Sequence, residues 1–245
     1  MAYRIRTGAR AATAAAVGAA VLVFALAGCS GGGSGSSKTS PTPAVPYNGP
    51  NGKQLASIML TGTDLPNGYD ESNGGEDDSG QSRATATLTA SPSSSNCNAL
   101  LNSIGGTDLG EAAFAYDTYA PTSATAEFSE AVLEFPGSQA AKLTGQLGAA
   151  LNGCGTFQAQ EEDGTTNAAK TLMQQGPRLG SESIGFQVDV SIGNVNLVTN
   201  GVIVRVGDAV IILENTDYSG SGPTSGAIDL NALTGTLVQR LGTLH

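Results

Sequence analysis

The side chains best suited to chemistry in this chain are carboxylates. Glu127, Glu130 and Glu134 recur at three- and four-residue spacing, and Glu161, Glu162 and Asp163 stand together just before Gly164. Paired carboxylates hydrolyse glycosides when an apolar setting holds one protonated while the other stays ionised. The spacing of the first set predicts one face of a helix over 122–135, where such charges ordinarily make a solvated surface. The second set falls in a turn open to water. Neither cluster shows an apolar setting that would raise a pKa, so no catalytic residue is expected and the chain reads as non-enzymatic.

Other reactive patterns are incomplete. A serine triad needs an imidazole, and the one histidine is the terminal His245. Ser181-Glu182-Ser183-Ile184-Gly185 only approaches a nucleophile elbow, and it leads into a strand where an elbow leads into a helix. Asp163-x-Thr165-x-Asn167 touches a calcium-loop pattern without its central glycine or distal glutamate. No phosphate loop, dinucleotide fingerprint or zinc constellation is present, so neither a cofactor nor a metal is expected. Arg205 stands mid-strand among valines. As a sheet-face cation it would suit an anionic ligand, although an outward arginine on a solvated face is the commoner arrangement.

Three cysteines carry the rest of the chemistry. Arg4, Arg6 and Arg10 precede an uncharged, alanine-rich run of about 17 residues, marginal for a bilayer core ~30 Å thick. The run ends in Leu26-Ala27-Gly28-Cys29. Basic start, apolar middle and small residues at the end are the layout of a secretory signal peptide. The cysteine at the cleavage point resembles the bacterial lipobox. That resemblance implies cleavage after Gly28, a diacylglyceryl thioether on Cys29, and acylation (palmitate) of the new amino terminus. More than one chain is needed, because each buried methylene contributes only about 0.8 kcal/mol. Cys97 and Cys154 are then left as a pair, which in an exported chain reads as a disulfide. Closing so long a loop stabilises by roughly 4 kcal/mol in the chain-entropy treatment.

Charge narrows the partners. Formal net charge is -10, and loss of the leader with its three arginines leaves eight basic against 21 acidic residues. A surface that acidic repels phosphate backbones, so nucleic acid is excluded as a partner. It also disfavours docking on anionic lipid, so residence at the cell membrane must come from the anchor.

These parts need a scaffold. The sequence predicts a signal peptide over 1–28, a Gly/Ser/Pro linker over 29–50 and one domain over 51–245. In the domain, helices are predicted over 54–60, 97–104, 122–135 and 138–151, with a last one from Leu230. Residues 74–81 read as an acidic loop. Strands are predicted over 82–89, 112–119, 155–160, 170–174, 195–206 and 209–213, and Ile184, Phe186, Val188 and Val190 alternate strictly in another. Gly207-Asp208 suits a hairpin turn, and Asn200-Gly201 a second turn or a bulge. The expected fold is α+β: a mainly antiparallel sheet of five or six strands packed with four or five helices and held by one disulfide.

This order of elements resembles the PknH-like extracellular sensor domains, which occur on a mycobacterial serine/threonine kinase and on actinobacterial lipoproteins. The resemblance rests on the helix near Leu55, Cys97 before the first strand, a Phe-containing amphipathic helix over Thr122–Phe135, and the Ser138-Gln139-Ala140-Ala141 helix running to Cys154. The hairpin Val202 to Val210 and the terminal helix complete it. It implies a lipid-anchored sensor module on the extracytoplasmic face, with a cleft for a small-molecule or cell-envelope ligand. The chain departs from the pattern in having one available disulfide and no tryptophan. Phe114, Tyr116, Phe186 and Val188 are the expected wall residues of such a cleft. The alternatives are an envelope hydrolase using paired carboxylates and a lipid carrier or structural envelope lipoprotein.

Overall fold

The clearest alternation in the sequence builds the middle of a sheet. Ile184, Phe186, Val188 and Val190 are buried, while Gln187 and Asp189 between them are half-buried. The computed structural model describes residues 47–78, 97, 109–121, 125–160, 165–218 and 228–244. Their element order is α1 (Gly52–Ala56), β1 (Tyr69–Asp78), β2 (Ala113–Pro121), β3 (Ala126–Glu134), α2 (Gln139–Cys154), β4 (Thr156–Gln160), β5 (Thr166–Gln174), β6 (Glu182–Ile192), β7 (Val195–Val206), β8 (Ala209–Asp217) and α3 (Leu230–Leu241). The strands form one sheet of eight in the order β1-β2-β3-β8-β7-β6-β5-β4, and every neighbouring pair is antiparallel.

The expected five or six strands with four or five helices is therefore corrected to eight strands and, among the described residues, three helices. Two segments account for much of the difference. The spacing over 122–135 predicts a helix, but its residues 126–134 form β3, hydrogen-bonded to β2 on one side and β8 on the other. Its apolar spacing fits a strand equally well. Phe128 and Val132 share one face, Leu133 and Phe135 the other, and the ladders decide between the two. Of the acidic stretch expected as a loop over 74–81, residues 74–78 form the second half of β1, and 79–81 lie outside the described residues. This β1 is an edge strand, almost wholly exposed, and its charges discourage a further strand from pairing there. The strand expected over 82–89 and most of the helix expected over 97–104 lie outside the described residues, as do 1–46, Glu161 to Gly164 and His245.

Gly201 is neither turn nor bulge, because β7 passes straight through it. The Phe186 ring lies across Gly201 from β6, and a Cβ there would collide with it.

Both faces of the sheet are covered. Leu143, Leu147 and Leu151 of α2 pack on Leu133, Phe186, Ile203 and Ile212. Cys154, the last residue of α2, is bonded to Cys97, 57 positions away. On the opposite face, Leu55 of α1 and Leu233, Leu237 and Leu241 of α3 pack on Ala115, Phe128, Val132, Ile211 and Leu213. The five-residue α1 is capped by a reciprocal box between Asn51 and Gln54. Asp229 caps α3 by accepting from the Asn231 and Ala232 N–H groups. Among the described residues no helix is long and apolar enough to cross a membrane.

Candidate functional site

The turn that follows α1 is held by three side chains, two from the sheet and one from α3. The Tyr119 hydroxyl donates to the Leu60 carbonyl (2.6 Å), and the Leu60 N–H donates to Glu130 Oε1 (2.9 Å). From α3, Arg240 donates through Nη1 to the Met59 carbonyl (2.8 Å) and through Nη2 to both oxygens of Asp64 (2.8 and 3.0 Å). Beneath this turn lies an open cavity of about 330 Å³, lined among others by Met59, Leu60, Tyr69, Glu71, Asp117 and Tyr119. That volume is within the range of small-ligand pockets.

Strand register brings the acids together. Asp117 of β2 stands opposite Gly74 of β1 and opposite Glu130 of β3. Opposed residues share a face of the sheet. A Cβ on Gly74 would collide with Asp117 Oδ1 and lie 3.3 Å from Glu71 Oε1. Both carboxylates thus converge on the space that the glycine leaves free. Glu130 sits deeper, with 2% of its surface exposed. Its Oε2 is buried without a hydrogen-bond partner.

Burial is the main cause of the shifted acidities here. It pushes the Glu130 carboxyl up to about 8, reinforced by the Asp117 charge and opposed by the Leu60 N–H and Arg240. Burial and then Glu71 push Asp117 up to about 6. Tyr69 and Tyr119 are raised by burial and by nearby acids, so both stay neutral. Burial works against the charge of Asp64, but hydrogen bonds from Thr61 and Arg240 outweigh it and hold Asp64 below its ordinary value. Glu130 therefore enters neutral pH largely protonated, beside an ionised Asp117.

The expectation that no carboxylate of the 127–134 set lies in an apolar setting is overturned by Glu130. The three acids do not share a helix face. Glu130 and Glu134 alternate with Phe128 and Val132 on the α1/α3 side of β3, and Glu127 points to the α2 side. There Glu127 faces Glu214, whose carboxyl is pushed up to about 7 by burial first and Glu127 second. Tyr218 lies in the same cluster and is raised.

Phe114, Tyr116, Phe186 and Val188 belong to the α2-side core, with the Phe114 and Tyr116 rings 6.1 Å apart, and none lines the cavity. Arg205 pairs with Glu182 directly across β6–β7, Nε to Oε2 3.5 Å. Ser183 is the second residue of β6 and has no imidazole beside it among the described residues. No group of three His, Cys, Asp or Glu among the described residues could hold a metal ion. Cys29, like Glu161, Glu162 and Asp163, lies outside them. The sequence did carry a signal for the missed residues: Ala113, Ala115, Asp117 and Tyr119 share one parity, so an acid sits on an apolar strand face.

No protein-family model and no curated protein matches the chain. Among solved structures it is similar to the extracellular domain of PknH from Mycobacterium tuberculosis, with a TM-score of 0.55 at 10% identity, over 81% of this chain and 98% of that one. At that identity the likeness is one of fold, the fold to which the order of elements in the sequence points.

Proposed function

We propose that this chain is an extracytoplasmic sensing module, anchored by lipid on Cys29, that binds a small molecule or cell-envelope component without transforming it. The observation that carries this reading is the cleft under the 57–64 turn. It is a preformed cavity with two converging carboxylates, on a fold similar to the extracellular domain of PknH. The lipobox-like Leu26-Ala27-Gly28-Cys29, after a basic and apolar leader, supports the anchor. The acidic balance of the chain argues against nucleic acid as partner.

A hydrolase reading has one feature in its favour: Asp117 and Glu130 are opposed, with their acidities pushed apart. It is the weaker reading because Glu130, the acid of such a pair, is buried behind Leu60 and is not among the groups lining the cavity.

The anchor is tested by Cys29→Ala in the native host. The chain is expected to leave the membrane fraction, and its intact mass to lose the acyl addition. A chain that stays membrane-bound, or a wild-type mass with no fatty acyl group, overturns the anchor. The binding reading is tested by native mass spectrometry of the full chain, where a retained small molecule is expected.

A further inference from the structure

We infer that residues 47–62 form one strap, clipped to β3 at both ends, which couples the entry of the linker into the domain to the cleft. Its use in sensing rests on the reading above.

The last residues of the linker expected over 29–50 dock on the fold. The Tyr47 hydroxyl reaches two acceptors, the Pro50 carbonyl (2.8 Å) and the Glu134 carboxyl. Its ring packs on the α1/α3-side core and folds over Gly49, where a Cβ would collide with it. Pro50 is buried. At Gly52 the strap lies directly on the sheet. A Cβ there would meet the carbonyls of Asp77 and Phe114, paired residues of β1 and β2. From Gly52 to Gly62 no glycine or proline breaks the strap.

Two acids of one strand receive its two ends. Glu130 and Glu134 stand four residues apart on β3 and so share a face, about 13 Å apart along the strand. They are 2% and 1% exposed, and neither lines the cavity. Glu134 takes the Tyr47 hydroxyl, Glu130 takes the Leu60 N–H (2.9 Å), and the Leu60 carbonyl accepts from Tyr119 of β2. A carboxyl buried on an apolar strand face is costly unless a donor meets it. Here the strap brings donors to both acids. Between the clips, Leu55, Ile58 and Met59 are buried in the core on this face of the sheet, so the two ends are joined by a packed segment and not by a loose loop.

The same strap is one wall of the cleft. Ala56, Met59 and Leu60 line the cavity from the strap, and Glu71, Asp117 and Tyr119 line it from β1 and β2. A compound that touches both walls binds the seated strap and not the lifted one, so it stabilises the Tyr47 clip as well. Tension on the linker at Tyr47 works against the clips, and by linkage it weakens such a compound's binding. Occupancy of the cleft and the hold on the linker thus bias one two-state element.

The test is hydrogen exchange of the full chain in detergent, with no ligand added. Tyr47→Phe keeps the ring and removes the hydroxyl. It should speed exchange at the Leu55 and Leu60 amides, which donate to the Asn51 carbonyl and to Glu130, by the same factor of about five to ten. Tyr119→Phe loosens the strap at its cleft end and should likewise speed both amides together. The amides of β6–β8 should keep their protection in both variants. Faster exchange confined to the end that was loosened overturns the inference, as does no change at either end. So does an equal loss across β6–β8, because the strap would then open only with the whole fold. Each of these failures leaves the sensing reading standing, since no ligand enters the measurement. That reading falls separately, if native mass spectrometry finds nothing retained.

Discussion

On the α2 side of the sheet, Phe114, Phe186, Ile203 and Val210 meet a leucine-lined helix stapled at its end by Cys97–Cys154. On the other side β2 and β3 turn Asp117, Glu130 and Glu134 inward, under a five-residue helix and a turn held by side-chain hydrogen bonds. Each strand supplies both faces, because successive residues point to opposite sides. The division of labour is therefore written in parity. One set of positions gives packing and a covalent tie, and the other admits polar groups that a well-packed core would exclude. Burying an acid is costly, and here Asp117 lines the cavity with Glu130 directly across from it.

Breaking the staple should produce the largest effect. Cys97→Ser with Cys154→Ser frees a loop spanning 57 positions, and the expected loss is about 4 kcal/mol, read as a lower denaturant midpoint. A double variant as stable as wild type would mean that the α2 side does not depend on its covalent tie.

Gly201→Ala tests packing on that side without touching the disulfide. Phe186 is fully buried and its ring covers Gly201, so it has no free volume into which to retreat. Overpacking of this kind costs about 1–3 kcal/mol. Denaturation with unchanged m-value and a lower midpoint is the expected readout. The partner variant Phe186→Leu with Gly201→Ala should recover part of the loss, and additive losses in the pair would show that the ring is not what the methyl meets.

How far the sequence shows this contrast depends on which force sets each element. The α2 helix, β2, the β6–β8 hairpins and the terminal helix follow from periodicity that only one structure satisfies. Residues 126–134 do not. Phe128, Val132 and Phe135 fit either period, and the choice is made by β2 and β8, which a local window does not contain. The β1 strand is less legible still. Its residues are polar on both faces, and only pairing with β2 makes it a strand. That error hid the site, because the cleft exists only once β1 places Glu71 and Gly74 against Asp117 and β3 places Glu130 across from it. The sequence lists every one of these residues, but the register that joins them is a property of the sheet. The cysteine pair was legible because elimination and compartment leave one partner for each thiol.

The smallest expected effect distinguishes the faces by their protons. Glu130 binds a proton in the folded state up to pH about 8, whereas in an unfolded chain a glutamate releases it near 4.3. Between those values the folded state holds the extra proton, so stability is fully present at low pH and is lost as pH rises through about 8. Asp117, at about 6, and Glu214 on the α2 side, at about 7, act in the same direction over narrower windows. Unfolding free energy should therefore fall from pH 5 to pH 8.5, with Glu130 contributing on the order of 2 kcal/mol. Glu130→Gln keeps an oxygen for the Leu60 N–H and cannot ionise. It should match or slightly trail wild type at pH 5, where its amide occupies the unpartnered Oε2 position, and exceed it at pH 8.5. Glu214→Gln should flatten the profile only below pH about 7. If Glu130→Gln and wild type lose stability in parallel up to pH 8.5, Glu130 is ionised in the folded protein throughout. The acid beneath the cleft would then be an ordinary charged group rather than a proton held by burial.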